Sequence, residues 1–176
     1  MKYIVVAATS RDGYLTKGDD SEYTKWVSQE DKEHFATLRA HHNFFVMGST
    51  TYDNSGVEPS EGTLRLVLTR NPEKYAEHTV PGQLEFSSMN PEEIKKHYKD
   101  RYDSCLVLGG SYIYTQFLAS GLVDEIYLTI EPVTHGRGVP FIRDNESLQD
   151  IVDDLPTPEV TQLNNTGTQL KHYKLS

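Results

Sequence analysis

The residues best suited to chemistry stand just behind short apolar runs. "MGSTTYDN" sets Gly48 and the hydroxyls of Ser49, Thr50 and Thr51 after residues 44–47, and "LTRNP" ends the run 64–68 with Leu68, Thr69 and Arg70. Gly109 and Gly110 follow residues 105–108 and lead into Ser111, Tyr112 and Ile113. Glycine permits close backbone approach, hydroxyls can cap a helix whose N-terminus attracts phosphate, and arginine offers a charged fork. Asp31 opens a helix-like stretch, where an acid complements the helix dipole, and Thr129 lies in an apolar run. The polar "ATSRDGYLTKGDDSEYTKW", with Gly13 and Gly18, reads as a mobile flap over a site. Taken by themselves, these residues imply a phosphorylated or nucleotide ligand.

Such residues need a scaffold to bring them together. Runs rich in Val, Ile, Leu and aromatics occur at 3–8, 44–47, 64–68, 105–108 and 125–130, and most have the continuous apolar character of strands buried on both faces. Between them lie helix-like stretches at 29–40, at 91–102 with Asn90 as cap and Pro91 first, and at 111–119. This alternation predicts an α/β domain with a largely parallel sheet, whose ligands sit beyond the carboxyl ends of the strands. The tail "EVTQLNNTGTQLKHYKLS" reads as an antiparallel hairpin at the sheet's edge, and "RDNESLQDIVDDLP" before it as a solvated acidic segment. One domain is expected over the 176 residues.

Composition narrows the partners. With 17 Lys+Arg against 26 Asp+Glu the net charge is −9, so the basic footprint of a nucleic-acid binder is missing. "MKYIVVAATS" is too short for a membrane span and lacks a signal-peptide layout. The lone Cys105 offers no disulfide framework, which fits a reducing compartment, and a cytoplasmic protein is expected. His41 and His42 stand at a helix end, and no His/Cys/Asp cluster has metal spacing, so no metal is expected. Neither GxGxxG nor GxxxxGK[ST] occurs.

Together the motifs resemble the dihydrofolate reductase superfamily. Trp26, Asp31 and Phe35, then "FFVMGSTTYDNSG", "LRLVLTRNP", "LGGSYIYTQFL" and "VDEIYLTIEP", occur in that family's order over nearly the whole chain. Within it, "SRDGYLT", "FATLRAHHNFFVMGSTT" and "GLVDEIYLTIEPVTHGRGVPF" are most similar to the pyrimidine reductases of riboflavin biosynthesis, usually the C-terminal part of a bifunctional deaminase-reductase.

The resemblance implies a three-layer fold with a mixed, mostly parallel central sheet, an antiparallel C-terminal hairpin and flanking helices. It further implies an NADPH-dependent reductase of a small heterocyclic or ribosylamino-pyrimidine substrate, often a homodimer. Ala8 and Leu15 would meet the nicotinamide. Gly48, Ser49, Thr50 and Thr51 would cradle the cofactor's phosphates, and Arg70, with Leu68 and Thr69, would hold the 2′-phosphate. Residues Gly109, Gly110, Ser111, Tyr112 and Ile113 would place a helix N-terminus at the pyrophosphate, with the Gly109–Gly110 bond cis. Asp31 and Thr129 would grip an amino-pyrimidine ring and deliver a proton, and Trp26 and Phe35 would line the substrate.

Thr63 stands where folate enzymes hold the glutamate tail with arginine, and Arg65 is expected on the opposite face of its strand. Two alternatives stay open: dihydrofolate reductase itself, and a nucleotide-binding sensor without turnover.

Overall fold

The computed structural model describes residues 1–18, 25–143 and 153–176. Its elements begin with β1 (Lys2–Ser10), β2 (Tyr14–Thr16), α1 (Gln29–Ala40), β3 (Phe44–Gly48), α2 (Ser49–Ser55) and β4 (Leu64–Leu68). A 3-10 helix (Pro72–His78), β5 (Leu84–Ser87), α3 (Pro91–Tyr98), β6 (Ser104–Val107) and α4 (Ser111–Ala119) follow. β7 (Val123–Glu131), β8 (Val139–Pro140), β9 (Glu159–Gln162) and β10 (Gln169–Lys174) complete the fold.

The main sheet has the order β5-β4-β3-β6-β1-β7-β10-β9. Every pairing from β5 across to β7 is parallel, whereas β10 runs antiparallel to both β7 and β9. This is the mixed, mostly parallel sheet with a C-terminal hairpin that the pattern implied. The hairpin's turn is set by Asn164, whose side-chain oxygen accepts the backbone N–H of Thr166 at 3.2 Å and of Thr168 at 3.0 Å.

Alternation along the strands divides the side chains between two faces. Tyr3, Val5, Val46, Leu66 and Val107 point one way and pack under α3 and α4, against Ile94, Tyr98, Phe117 and Leu118. Ile4, Phe45 and Leu106 point the other way, where Leu38 of α1 packs on them. The apolar layer under α3 and α4 is nearly dry: Phe117 and Tyr3 are fully buried, meet edge to face at 4.9 Å, and Tyr3 donates its hydroxyl to the Pro91 carbonyl at 2.7 Å. Asn90 and Glu93 close a capping box at the head of α3, with Pro91 just inside it.

Several expectations need correction. The helix expected over 91–102 ends as an α-helix at Tyr98, and the turn after it is closed by the Arg101 and Tyr102 N–H groups donating to the Tyr98 carbonyl. The presumed flap is partly a strand: Tyr14–Thr16 pairs with β8, and Asp12 ties the two loops together. Its carboxylate accepts the Ser10 hydroxyl and the His135 and Gly136 N–H groups, which hold its pKa down to about 2. The rest of that segment, 19–24, and most of the acidic stretch, 144–152, lie outside the described residues. β5 was not anticipated, since its apolar content is only Leu84 and Phe86; Tyr75 of the 3-10 helix covers Phe86 by stacking at 4.6 Å.

Candidate active site

At the head of α1, the Ser28 hydroxyl caps the helix by accepting the Asp31 N–H at 3.3 Å. The cap fixes Asp31 in the first turn, and the helix repeat then carries Phe35 and Arg39 along the same side at four-residue steps. Across from Asp31, Thr129 of β7 is buried to 2 % exposure, and its hydroxyl is a hydrogen-bond partner of the carboxylate. Burial pushes the Asp31 pKa above the ordinary carboxylate value, Thr129 and Lys32 oppose the rise, and the negative charge of Glu131 adds to it. A cleft of about 190 Å³ opens beside this pair, lined by Val6, Ala8, Val27, Asp31, Lys32, Phe35, Leu108 and Tyr114. Its walls are mostly apolar around a single acid, an arrangement suited to a flat ring that needs one proton.

Leu108 leads into the Gly109–Gly110 peptide, which is cis. Gly109 has φ of 90°, and a Cβ there would lie 2.6 Å from the Tyr114 ring, so only glycine fits. The neighbouring ring is pinned by its hydroxyl, which donates to the Val6 carbonyl at 2.7 Å. Across the gap, the Gly48 N–H donates to the Gly109 carbonyl at 2.7 Å, and a Cβ on Gly48 would press on Ile113 at 3.0 Å. Two strand ends are thereby locked together.

On the far side of this junction a second groove, about 480 Å³, runs over the ends of β3, β4 and β5. Ser49, Thr50, Leu68, Thr69, Arg70, Tyr112 and Ile113 line it, joined by Ser88, Met89, Asn90, Gln116 and Arg143. Among the described residues, the head of α4 has no side-chain cap, and the Ser111 hydroxyl there is buried without a partner. Free N–H groups, an unmatched hydroxyl and Arg70 fit a phosphorylated nucleotide.

The remaining expected residues lie around these two spaces. Leu15 is buried in the core on β2, and Thr51 is half-buried on α2 outside the groove lining. Trp26 is not among the cleft residues; its ring meets His135 edge-on at 4.7 Å, in the loop between β7 and β8. Ser88 and Met89 escaped sequence reasoning because the strand ahead of them was not recognised, and Asn90 was read only as a helix cap, not as part of the groove.

A third concavity corrects the expectation for Arg65. Residues two apart on a strand share a face, so Thr63 and Arg65 look the same way, toward α1. With Arg39, His42, Phe45 and Ser60 they line a pocket of about 270 Å³. Burial, and then the nearby Arg39 charge, push the Arg65 pKa down, and among the described residues its Nη1 is buried without a partner. Arg39 also lies 5.6 Å over the Phe35 ring, so the pocket adjoins the Asp31 cleft along α1. Eight residues of helix separate Asp31 from Arg39, about 12 Å at 1.5 Å per residue.

Comparison with known proteins now decides the family. Residues 2–171 match the model of the RibD C-terminal domain. The chain belongs to that family. Among solved structures, a putative riboflavin biosynthesis protein from Shewanella sp. PV-4 superposes with a TM-score of 0.70 at 22% identity, over 99% of this chain and 98% of its own. The diaminohydroxyphosphoribosylaminopyrimidine deaminase/5-amino-6-(5-phosphoribosylamino)uracil reductase of Thermotoga maritima gives 0.71 at 18% identity, over 98% of this chain and 56% of that longer one. Dihydrofolate reductase from Enterococcus faecalis, complexed with NADP(H) and RAB-propyl, gives 0.66 at 19%, over 98% and 95%. At these identities the structural likeness establishes a shared fold for this RibD C-terminal domain and leaves its chemistry to its own residues.

Proposed function

We propose that this RibD C-terminal domain is an NADPH-dependent reductase of a small ribosylamino-pyrimidine or related heterocycle. The observation that carries the reading is the arrangement at the carboxyl ends of the strands, where nucleotide groove, Gly109 junction and Asp31 cleft follow one another, while α1 leads from the cleft to the arginine pocket at the amino ends of β3 and β4. Ser49, Thr50, Arg70 and the head of α4 would hold the phosphates of NADPH, which supplies a hydride when bound. Ala8 and Leu108 would border the ring at the cleft. Asp31, kept protonated to higher pH by burial, would donate its proton to the nitrogen or oxygen of the substrate's double bond. As the hydride reaches the carbon, the π bond breaks and C–H and N–H or O–H bonds form. Thr129 holds the carboxyl in place, and Arg39 with Arg65 would take an anionic group at the substrate's far end.

Dihydrofolate reduction is a second reading, favoured by the Asp31–Thr129 pair and by an arginine pocket that suits a glutamate carboxylate as well as a phosphate. The two separate in one assay. The purified protein is mixed with NADPH while Trp26 fluorescence is followed, and then offered 5-amino-6-(5-phosphoribosylamino)uracil or dihydrofolate while NADPH absorbance is recorded. The proposal expects a nucleotide-dependent fluorescence change and consumption with the first compound. Consumption with dihydrofolate alone would favour the second reading, and no response to NADPH would defeat both.

A further inference from the structure

Glu131 ends β7 two residues after Thr129, on the same face of the strand. It is a carboxylate with only 2 % exposure, and each of its oxygens is engaged. Oε1 accepts the backbone N–H of Ser28 at 2.8 Å, and Oε2 accepts the Thr168 hydroxyl at 2.7 Å. Ser28 is the residue that caps α1 and takes the Asp31 N–H. The Thr168 hydroxyl also accepts from Asn164 at 3.0 Å, and the Asn164 amide reaches Glu30 at 3.1 Å. One buried acid thus fastens the head of α1 to the sheet and, through the hairpin turn, to β10. Burying a carboxylate is costly unless it is well paired, and apolar residues would close the same gap more cheaply. A carboxylate at this place points to a role that its charge performs.

We infer that Glu131 is a positioning residue for Asp31, holding the first turn of α1 against Thr129 and setting a second negative charge behind the reactive carboxyl. The inference rests on the proposed proton-donor role of Asp31. Among the described residues, the charges facing Asp31 are Glu131 from β7 and Lys32 on α1 itself; Thr129 and Thr168 are neutral, and the Tyr114 hydroxyl on the cleft's far wall is engaged with Val6. A like charge disfavours ionisation, so Glu131 keeps the Asp31 proton in place to higher pH, in the same direction as burial.

The test is the pH profile of kcat for the wild type, Glu131→Gln and Glu131→Asp. Activity that needs protonated Asp31 falls as pH rises through its pKa. Loss of the charge in Glu131→Gln should move that fall to lower pH and cut kcat several-fold on the alkaline side, while Glu131→Asp should keep the profile close to wild type. Destabilisation of Glu131→Gln with an unmoved profile would mean a structural role only and would overturn the inference. Carbon-detected NMR of the Asp31 side-chain carboxyl reads the same coupling without turnover. The Asp31 carboxyl should titrate at lower pH in Glu131→Gln than in the wild type, and an Asp31 titration left unmoved by that change would overturn the inference. If the wild type turns over no substrate, the proposed function fails while this titration still decides the coupling.

Discussion

The two faces of the main sheet are built from the same strands and differ in what they tolerate. Under α3 and α4 the side chains are almost wholly apolar: Val5, Val46, Leu66, Val107 and Phe117 close a dry layer. Under α1 the adjacent positions carry Arg65, Thr129 and Glu131, and α1 itself has no fully buried residue. The first face supplies the larger share of the hydrophobic stabilisation, and the second sets buried polar groups beside a smaller apolar cluster of Ile4, Phe45 and Leu106. A fold organised this way lets a site change its charges without dismantling its scaffold.

The contrast can be broken most forcefully from the apolar side. Phe117→Ala removes a fully buried ring from the layer and should cost about 3–5 kcal/mol, read as a lower denaturant midpoint. Asp31→Asn should do the reverse. Removing the proton donor lowers kcat by about 10²- to 10⁴-fold. Yet its stability should rise at neutral pH, because the folded-state pKa of Asp31 is raised above the unfolded value. Such a group supports folding at pH below the ordinary carboxylate range, and that support is lost as pH rises through the raised pKa. The gain in Tm should vanish in acid.

Arg65→Ala tests the far end of the α1 face. A charge-assisted hydrogen bond is worth about 1.5–3 kcal/mol, so KM for an anionic substrate should rise about 10- to 150-fold with kcat little changed. Lys174→Ala marks the lower limit. Lys174 pairs with Glu159 at 2.8 Å, both are largely exposed, and its loss should leave the denaturant midpoint essentially unchanged. A large effect there would show that exposure does not separate the charges that matter from those that do not.

The sequence revealed the two faces unequally. Strands with continuous apolar runs, such as residues 44–47 and 105–108, announce themselves because both sides are buried. β5 and β2 do not, since each is short and shows few apolar residues. The glycines and Arg70 were legible as the ends of recognisable strands, and so was the groove they form. Ser88 and Met89 stayed hidden with the strand before them, and Asn90 was seen only as a helix cap. Arg65 was assigned to the wrong face although the period-two rule puts it beside Thr63. Glu131 drew no notice because an acid at a strand's end is ordinary until Ser28 and Thr168, 103 and 37 residues away in the chain, are seen to bind it.

The central claim is that the α1 face reduces a substrate with a hydride delivered from the neighbouring groove. Its most direct test uses NADPH carrying deuterium at the transferred position, incubated with the protein and 5-amino-6-(5-phosphoribosylamino)uracil, with the product analysed by mass spectrometry. The account predicts a reduced product bearing a single deuterium with the wild type and almost none with Asp31→Asn. Unlabelled or absent product from a wild type that binds NADPH would contradict it.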